Sequence, residues 1–255
     1  MIQTAERSSA QSASENPIYQ RHIIAYQEAA KRINGALLEV GCGEGYGISI
    51  LGPHCSSYLG IDKFPTSATV PAHGRILQME VPPFTGVADN SFDFVVTFQV
   101  IEHIQNDVLF LQEIKRVLKP GGKLFLTTPN RLMSLSRNPW HIREYVPGEM
   151  KGILSEVFGA DQVDLQGIFG NEKVMSYYEK NKASVRRFTR FDIFNLQYRL
   201  PRRVLQVPYD LANRLNRILL KKENSGLVSD IVASDYFVAP VDEQALDYFA
   251  IATKK

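Results

Sequence analysis

The run Leu37-Leu38-Glu39-Val40-Gly41-Cys42-Gly43-Glu44-Gly45-Tyr46-Gly47 constrains this chain most, because an apolar strand runs directly into a turn with glycine at every second position. Glycine adopts backbone angles that other residues avoid, so such a turn lets a ligand touch bare backbone. The turn is not of the dinucleotide kind. A G-x-G-x-x-G count from Gly41 places its third glycine at position 46, which is Tyr46, and Glu39 and Glu44 would crowd a pyrophosphate with like charge. Those carboxylates suit a ligand that carries positive charge.

A second acidic position arrives on schedule. Tyr58-Leu59-Gly60-Ile61-Asp62 reads as a short strand ending in a carboxylate twenty-one residues after Gly41, where a bidentate acceptor can hold two ribose hydroxyls. NAD enzymes use the same device, and a solvated aspartate at a strand end has the same sequence, so Asp62 points to a nucleoside without naming it. A nucleoside with a sulfonium and an α-ammonium, S-adenosylmethionine (SAM), fits both the loop and the strand end.

Asn90 to Ile104 then reads as a continuous apolar strand that breaks at Gln99-Val100-Ile101-Glu102-His103. From Phe110 to Leu118 the apolar positions 110, 111, 114, 117 and 118 keep a helical period, and Lys119-Pro120-Gly121-Gly122 stops that helix before a fifth strand ending in Pro129-Asn130-Arg131. With the first loop, Val100-Ile101-Glu102-His103-Ile104 and Arg116-Val117-Leu118-Lys119-Pro120-Gly121-Gly122 resemble the "viEHi" and "RVLkPGG" elements of class I SAM-dependent methyltransferases of the type 11, UbiE-like branch. The resemblance spans about residues 36–131 and continues more weakly through 169. It implies an α/β fold: a Rossmann-like, seven-stranded, mostly parallel sheet with helices on both faces and an antiparallel last strand. Strand signals near 36, 57, 75, 92, 123 and 162 alternate with helices, in agreement with that fold.

The resemblance also implies how the cofactor is held. Glu39, Gly41, Gly43 and Gly45 would surround its methionine end, Asp62 its ribose, Glu80 and Val81 its adenine, and Gln99 would complete the cleft. The implied product is S-adenosylhomocysteine (SAH). Tyr19, on a leading helix from Pro17 to about Ile33, would lie near the cofactor, although a tyrosine on a helix face is commonly packing. Methyl transfer from a sulfonium needs alignment and, for a hydroxyl acceptor, a base. His103, after the fourth strand, is the first candidate, and bracing the following helix is its alternative role. His141 is the second, in Asn138-Pro139-Trp140-His141-Ile142-Arg143-Glu144-Tyr145, which resembles an "NPxHxxEy" element of glycan-cluster methyltransferases. Trp140, Glu144, Asn130 and Arg131 are expected to wall an acceptor pocket, while a His141–Glu144 pair that merely fixes the loop is the competing reading. Glu102, His103, His141 and Glu144 could in principle assemble a divalent metal site, as in quinone O-methyltransferases, but their spacing is not a recognised ligand pattern, so no metal is expected.

The chain is expected to divide into a tail (1–16), a SAM-binding domain (17–170 and 227–255) and a helical insertion (171–226) before a last strand near Ala245–Ala252. Polar residues from Met1 to Asn16 read as a disordered tail rather than a leader. Two cysteines make no disulfide framework, and no apolar run approaches a membrane span, which suits a cytoplasmic setting. Residues 173–222 hold thirteen Lys and Arg against Glu179, Asp192 and Asp210, a local +10 in a chain of net charge +2. This segment reads as a helical lid with a solvated face, as a contact with anionic lipid at the inner face of the membrane, or as a nucleic-acid platform. Nucleic acid is the least suited, because Gln99-Val100-Ile101-Glu102 lacks the Asn/Asp-Pro-Pro-aromatic element of base-amino methylating enzymes. The expected reaction is O-methylation of a sugar or lipid-linked glycan. A quinone or other small-metabolite methyltransferase and an inactive SAM-binding partner module are the alternatives.

Overall fold

A computed structural model describes residues 14–66, 68–190, 192 and 194–255. The expected tail lies outside the described residues up to position 13. Apolar runs form the strands β1 (Ala36–Val40), β2 (Ser57–Asp62), β3 (Gly74–Gln78), β4 (Phe92–Phe98) and β5 (Leu118–Pro129), which pair in parallel in the order β3-β2-β1-β4-β5. β1 and β4 are almost continuously buried, as expected of parallel strands covered on both faces.

Beyond β5 the sheet continues through β8 (Asp247–Thr253), β6 (Val163–Gly170) and β7 (Tyr236–Pro240), each antiparallel to its neighbour. The sheet therefore has eight strands, one more than the seven expected. β7 is a five-residue edge strand that ends at Pro240 and buries fully only Tyr236, so it carries little of the pattern that reveals a strand. Residues Leu118–Gly122 already belong to β5, so the fifth strand begins before the expected position 123.

One face of the sheet is covered by α3 (Asp107–Val117) and α4 (Pro147–Phe158) through Phe110, Leu111, Ile114, Met150 and Leu154. α3 buries the positions that its period assigns to the core, and its N-terminus is capped by the Asn106 side chain accepting from the Leu109 N–H at 3.0 Å. The other face is covered by α1 (Asn16–Ala30), α2 (Tyr46–Leu51) and the helices that connect β6 to β7. These are α5 (Glu172–Thr189), α6 (Leu196–Arg199), α7 (Arg202–Glu223) and α8 (Ser225–Asp230). α7 runs for 22 residues yet buries only Asn216 and Leu220 fully. Among the described residues no helix is long and apolar enough to cross a membrane.

α1 is tied to the carboxyl end of the sheet. The Asn16 amide donates to the carbonyls of Val228 and Ile231 at 2.8 Å, Tyr236 donates to the Pro17 carbonyl at 2.7 Å, and Arg21 pairs with Asp247 at 3.0 Å. Beneath the glycine loop, the buried Glu39 accepts from the hydroxyls of Tyr26 on α1 (2.7 Å) and Tyr58 on β2. A Cβ on Gly47 would lie 2.2 Å from the Tyr26 ring and 2.7 Å from Glu39, so only glycine lets α2 settle on this cluster.

Burial raises the Glu39 carboxyl to about 7, against the opposing pull of the two tyrosine hydrogen bonds. The folded state then binds this proton more tightly than the unfolded chain, and stability falls as pH rises from the ordinary carboxyl range through 7. Glu39→Gln keeps the shape without the charge. It should flatten that dependence, removing a loss of roughly 1–3 kcal/mol that the native chain shows between pH 5 and pH 8. Urea titrations at pH 5 and pH 8 test this, and equal pH dependence of the two chains would contradict it.

Candidate active site at the carboxyl edge of the sheet

The strand order reverses between β1 and β4, and a cavity of about 230 Å³ opens there, bounded by the residues that follow β1, β2, β3 and β4. Gly41, Gly43 and Gly45 all take left-handed angles, with φ of 79°, 54° and 81°. Gly41 and Gly43 line the cavity, and a Cβ on Gly41 would strike Val100 at 2.3 Å. Asp62 receives the Gly43 N–H on one carboxylate oxygen and the Phe64 N–H on the other, each at 2.8 Å, which fixes its orientation at the cavity wall. Glu80, Val81 and Gln99 line the same cavity, together with Glu44, Lys63, Phe64 and Ile104.

Two residues expected around the ligand face elsewhere. Glu39 lies under the loop with both oxygens accepting from tyrosines, because alternate strand residues point to opposite faces of the sheet and Glu39 shares the face of Leu37, beneath α1. Gly45 faces Ala68 and Ile48 on the far side of the loop. Tyr19 packs edge-on against Tyr46, 5.4 Å between ring centres.

A second cavity of about 270 Å³ adjoins the first, and His22, Gln99 and His103 line both. Its polar wall is built by two loops. Ile101–His103 forms a single 3-10 turn after β4, so His103 precedes α3 rather than beginning it. The Glu102 carbonyl receives the N–H groups of Ile142 (2.6 Å) and Arg143 (3.2 Å), and its side chain accepts from Thr128 at 2.9 Å, which locks the loop after β4 to that after β5. His103 Nδ1 lies 3.2 Å from the Trp140 carbonyl, which sets the tautomer with Nε2 as the acceptor atom. Burial and the neighbouring His141 depress the His103 pKa to about 4, so the ring is neutral at physiological pH. The two rings meet edge to face at 5.0 Å.

His141 contacts Glu144 through Nδ1 at 2.6 Å and the Asn138 amide through Nε2 at 2.8 Å. His141 and Glu144 both line the second cavity, so the pair that fixes the loop also forms its wall. Asn130 lines it too, but its amide donates to the Glu243 and Ala245 carbonyls and its oxygen accepts from Leu132 and Tyr248, a bracing role. Arg131 and Trp140 are placed away from it. Arg131 turns outward to Glu149 at 3.2 Å, and the Trp140 indole donates to Asp210 of α7 at 3.0 Å.

Arg21, which no sequence pattern singled out, lines the second cavity and pairs with the buried Asp247, and Asp247 in turn accepts from Gln99 at 3.2 Å. His22, which no motif marked, lines both cavities. Burial, with Arg21 and Arg217 nearby, lowers this ring to about 3. His22 lies four residues before Tyr26 on α1, so the two share a buried helix face. Where spacing indicated no metal site, the fold brings ligand atoms of Glu102, His103 and His141 within 4.8 Å of one another. This set suits a divalent ion in type, but His141 already uses both nitrogens, and coordination would break one of those contacts.

The chemistry of the first cavity fits SAM: bare backbone at Gly41 and Gly43, an oriented carboxylate at Asp62, and a further acceptor at Glu80 beside the apolar Val81 and Ile104. Residues 38–126 match the methyltransferase domain family described as Methyltransf_11. The mouse mitochondrial ubiquinone biosynthesis O-methyltransferase is 35% identical over 106 residues, 37% of this chain and 29% of that protein. The crystal structure of the [4+2]-cyclase SpnF superposes with a TM-score of 0.54 at 16% identity, covering 100% of this chain and 88% of SpnF, which shows the fold alone. A probable S-adenosylmethionine-dependent methyltransferase of Mycolicibacterium smegmatis is 31% identical over 98% of this chain and 94% of its own length. The chain therefore belongs to the S-adenosylmethionine-dependent methyltransferases.

Proposed function

We propose that this enzyme O-methylates a sugar hydroxyl of a glycan intermediate, lipid-linked and handled at the inner face of the membrane. The observation that carries this reading is the polar second cavity, which meets the SAM cavity at His103 and is walled by His141, Asn138 and Glu144. Such a wall offers several hydrogen-bonding groups to a polyhydroxylated acceptor. A quinone-type acceptor is the second reading, favoured by the likeness to the ubiquinone O-methyltransferase, which is confined to part of this chain.

In this reading Asp62 holds the ribose, Glu80 and Val81 the adenine, and the glycine loop with Gln99 the methionine end, with Arg21 and His22 close to the junction. The cofactor supplies an activated methyl group for in-line displacement, so the protein contributes alignment and deprotonation. His103 accepts the acceptor's proton at Nε2, held in the right tautomer by the Trp140 carbonyl. The Glu102 carboxylate, 3.9 Å from Nε2, stabilises the imidazolium that forms. His141, held by Glu144 and Asn138, shapes the acceptor pocket beside His103. The basic helical segment contacts anionic lipid, and nucleic acid has no part in this scheme.

His103→Ala should lower turnover by about 10² to 10⁴ with SAM affinity unchanged. Because the ring must be neutral to accept a proton, kcat/KM should hold steady through neutral pH and fall only as pH drops through about 4. An acid limb centred near 6.5 would exclude a buried His103 as the base. Exhaustive dialysis against EDTA should leave turnover unaltered, whereas a loss restored by a divalent ion would make the Glu102, His103 and His141 group a metal site. Asp62→Ala should weaken SAM binding by about 1.5–3 kcal/mol in calorimetry, and unchanged affinity would remove Asp62 from the ribose.

A further inference from the structure

The polar cavity does not end at its polar wall. It shares Ser136, Val185, Tyr209, Asn213 and Asn216 with a third cavity of about 460 Å³ that lies among α5, α6 and α7. The character of the lining changes along this path. Among the described residues the lining of the third cavity includes the apolar side chains of Val185, Leu196, Leu200, Leu205, Pro208 and Ala212, beside the polar residues that it shares with the second cavity. Its charged neighbours are spent on backbone: Arg137 donates to the Gln197 carbonyl at 2.8 Å, and the Asp192 carboxylate accepts the N–H groups of Leu196 and Gln197. Buried Asn216 marks the boundary between the two chambers, accepting from Ser184 and donating to Asn181 at 2.8 Å.

The outer side of the same helices is also apolar. Val204, Val207, Leu211, Leu215 and Ile218 recur every three or four residues along α7 and are each 49–69% exposed, opposite the buried Asn216 and Leu220. Arg203 and Arg214 flank this stripe, and Leu196 belongs both to the chamber and to the exposed surface. An apolar chamber with a polar far end, opening beside an apolar and basic surface, has the shape of a site for an amphiphile taken from an anionic lipid layer.

We infer that the α5–α6–α7 chamber binds the hydrocarbon tail of the acceptor, with the acceptor's polar head at His103 and His141. This inference rests on the assignment of the polar cavity as the acceptor site, and it narrows the acceptor to a molecule with an alkyl or isoprenoid chain. The tail would hold the head group in place without touching the reacting atoms.

Alkyl glucosides below their micelle concentrations, added to the SAH-saturated full chain, test the chamber directly by calorimetry. Dodecyl glucoside should bind at least about tenfold more tightly than octyl glucoside, since each added methylene gains burial. Ala212→Trp, which fills the chamber, and Leu200→Arg, which makes it polar, should each weaken dodecyl glucoside binding at least tenfold with SAH affinity intact. Leu215→Glu, on the outer stripe, should leave it unchanged. Equal binding of the two glucosides by a chain that binds SAH normally would overturn the inference and spare the proposed function. Loss of binding in Leu215→Glu alone would overturn it too, by placing the probe on the outer stripe. Failure of the native chain to bind SAH would overturn both. Equal binding of the two glucosides by the native protein overturns the inference by itself, and having two chamber variants, each read against Leu215→Glu, keeps the chamber testable even if one of them fails to fold.

Discussion

The structure depends on a close approach of backbone at one point, the turn from β1 into α2. Three glycines with positive φ carry the chain over Glu39, and Gly47 lets the short helix rest against Tyr26. Two tyrosine hydroxyls satisfy the carboxylate below, which ties α1, β1 and β2 into one support. The Asp62 side chain then reaches back to the Gly43 N–H, so the loop and the end of β2 are set as a unit. A buried polar group is tolerated where its partners are complete, and here those partners are what positions the SAM cavity.

From that point the acceptor side is assembled by long-range contacts around Glu102. Its carbonyl and carboxylate join the loop after β4 to β5 and to the loop that follows it, and through Trp140 the same loop grips Asp210 on α7. The helices between β6 and β7 are thereby connected to the wall that holds His103 and His141. A displacement of α7 would be felt at the Trp140 carbonyl that orients His103. In the proposed mechanism, acceptor binding along α7 and the orientation of His103 would be linked through one residue.

Much of this was legible in the sequence, for physical reasons. Parallel strands buried on both faces must be apolar throughout, α3 must repeat every 3.6 residues, and a bare-backbone turn must be written in glycine. Side-chain direction was less legible. Glu39 sits in the expected segment but points under the loop, because partners on α1 and β2 compete for it. Trp140 turns outward to an aspartate seventy residues later, and Arg131 to Glu149, contacts that no local pattern encodes. Glu102, His103 and His141 were candidates as a group, but their spacing matched no ligand pattern, since only the fold closes a gap of thirty-eight residues. β7 escaped because a short edge strand needs little hydrophobic pattern.

The measurement that bears most directly on this account is a crystal structure of the enzyme with SAH. The account predicts the ribose hydroxyls on Asp62, the adenine beside Glu80 and Val81, and the sulfur at the junction of the two cavities, facing the side on which Gln99 and His103 stand. A ribose bound away from Asp62, or a sulfur turned from His103 toward the outer side of the glycine loop, would contradict it.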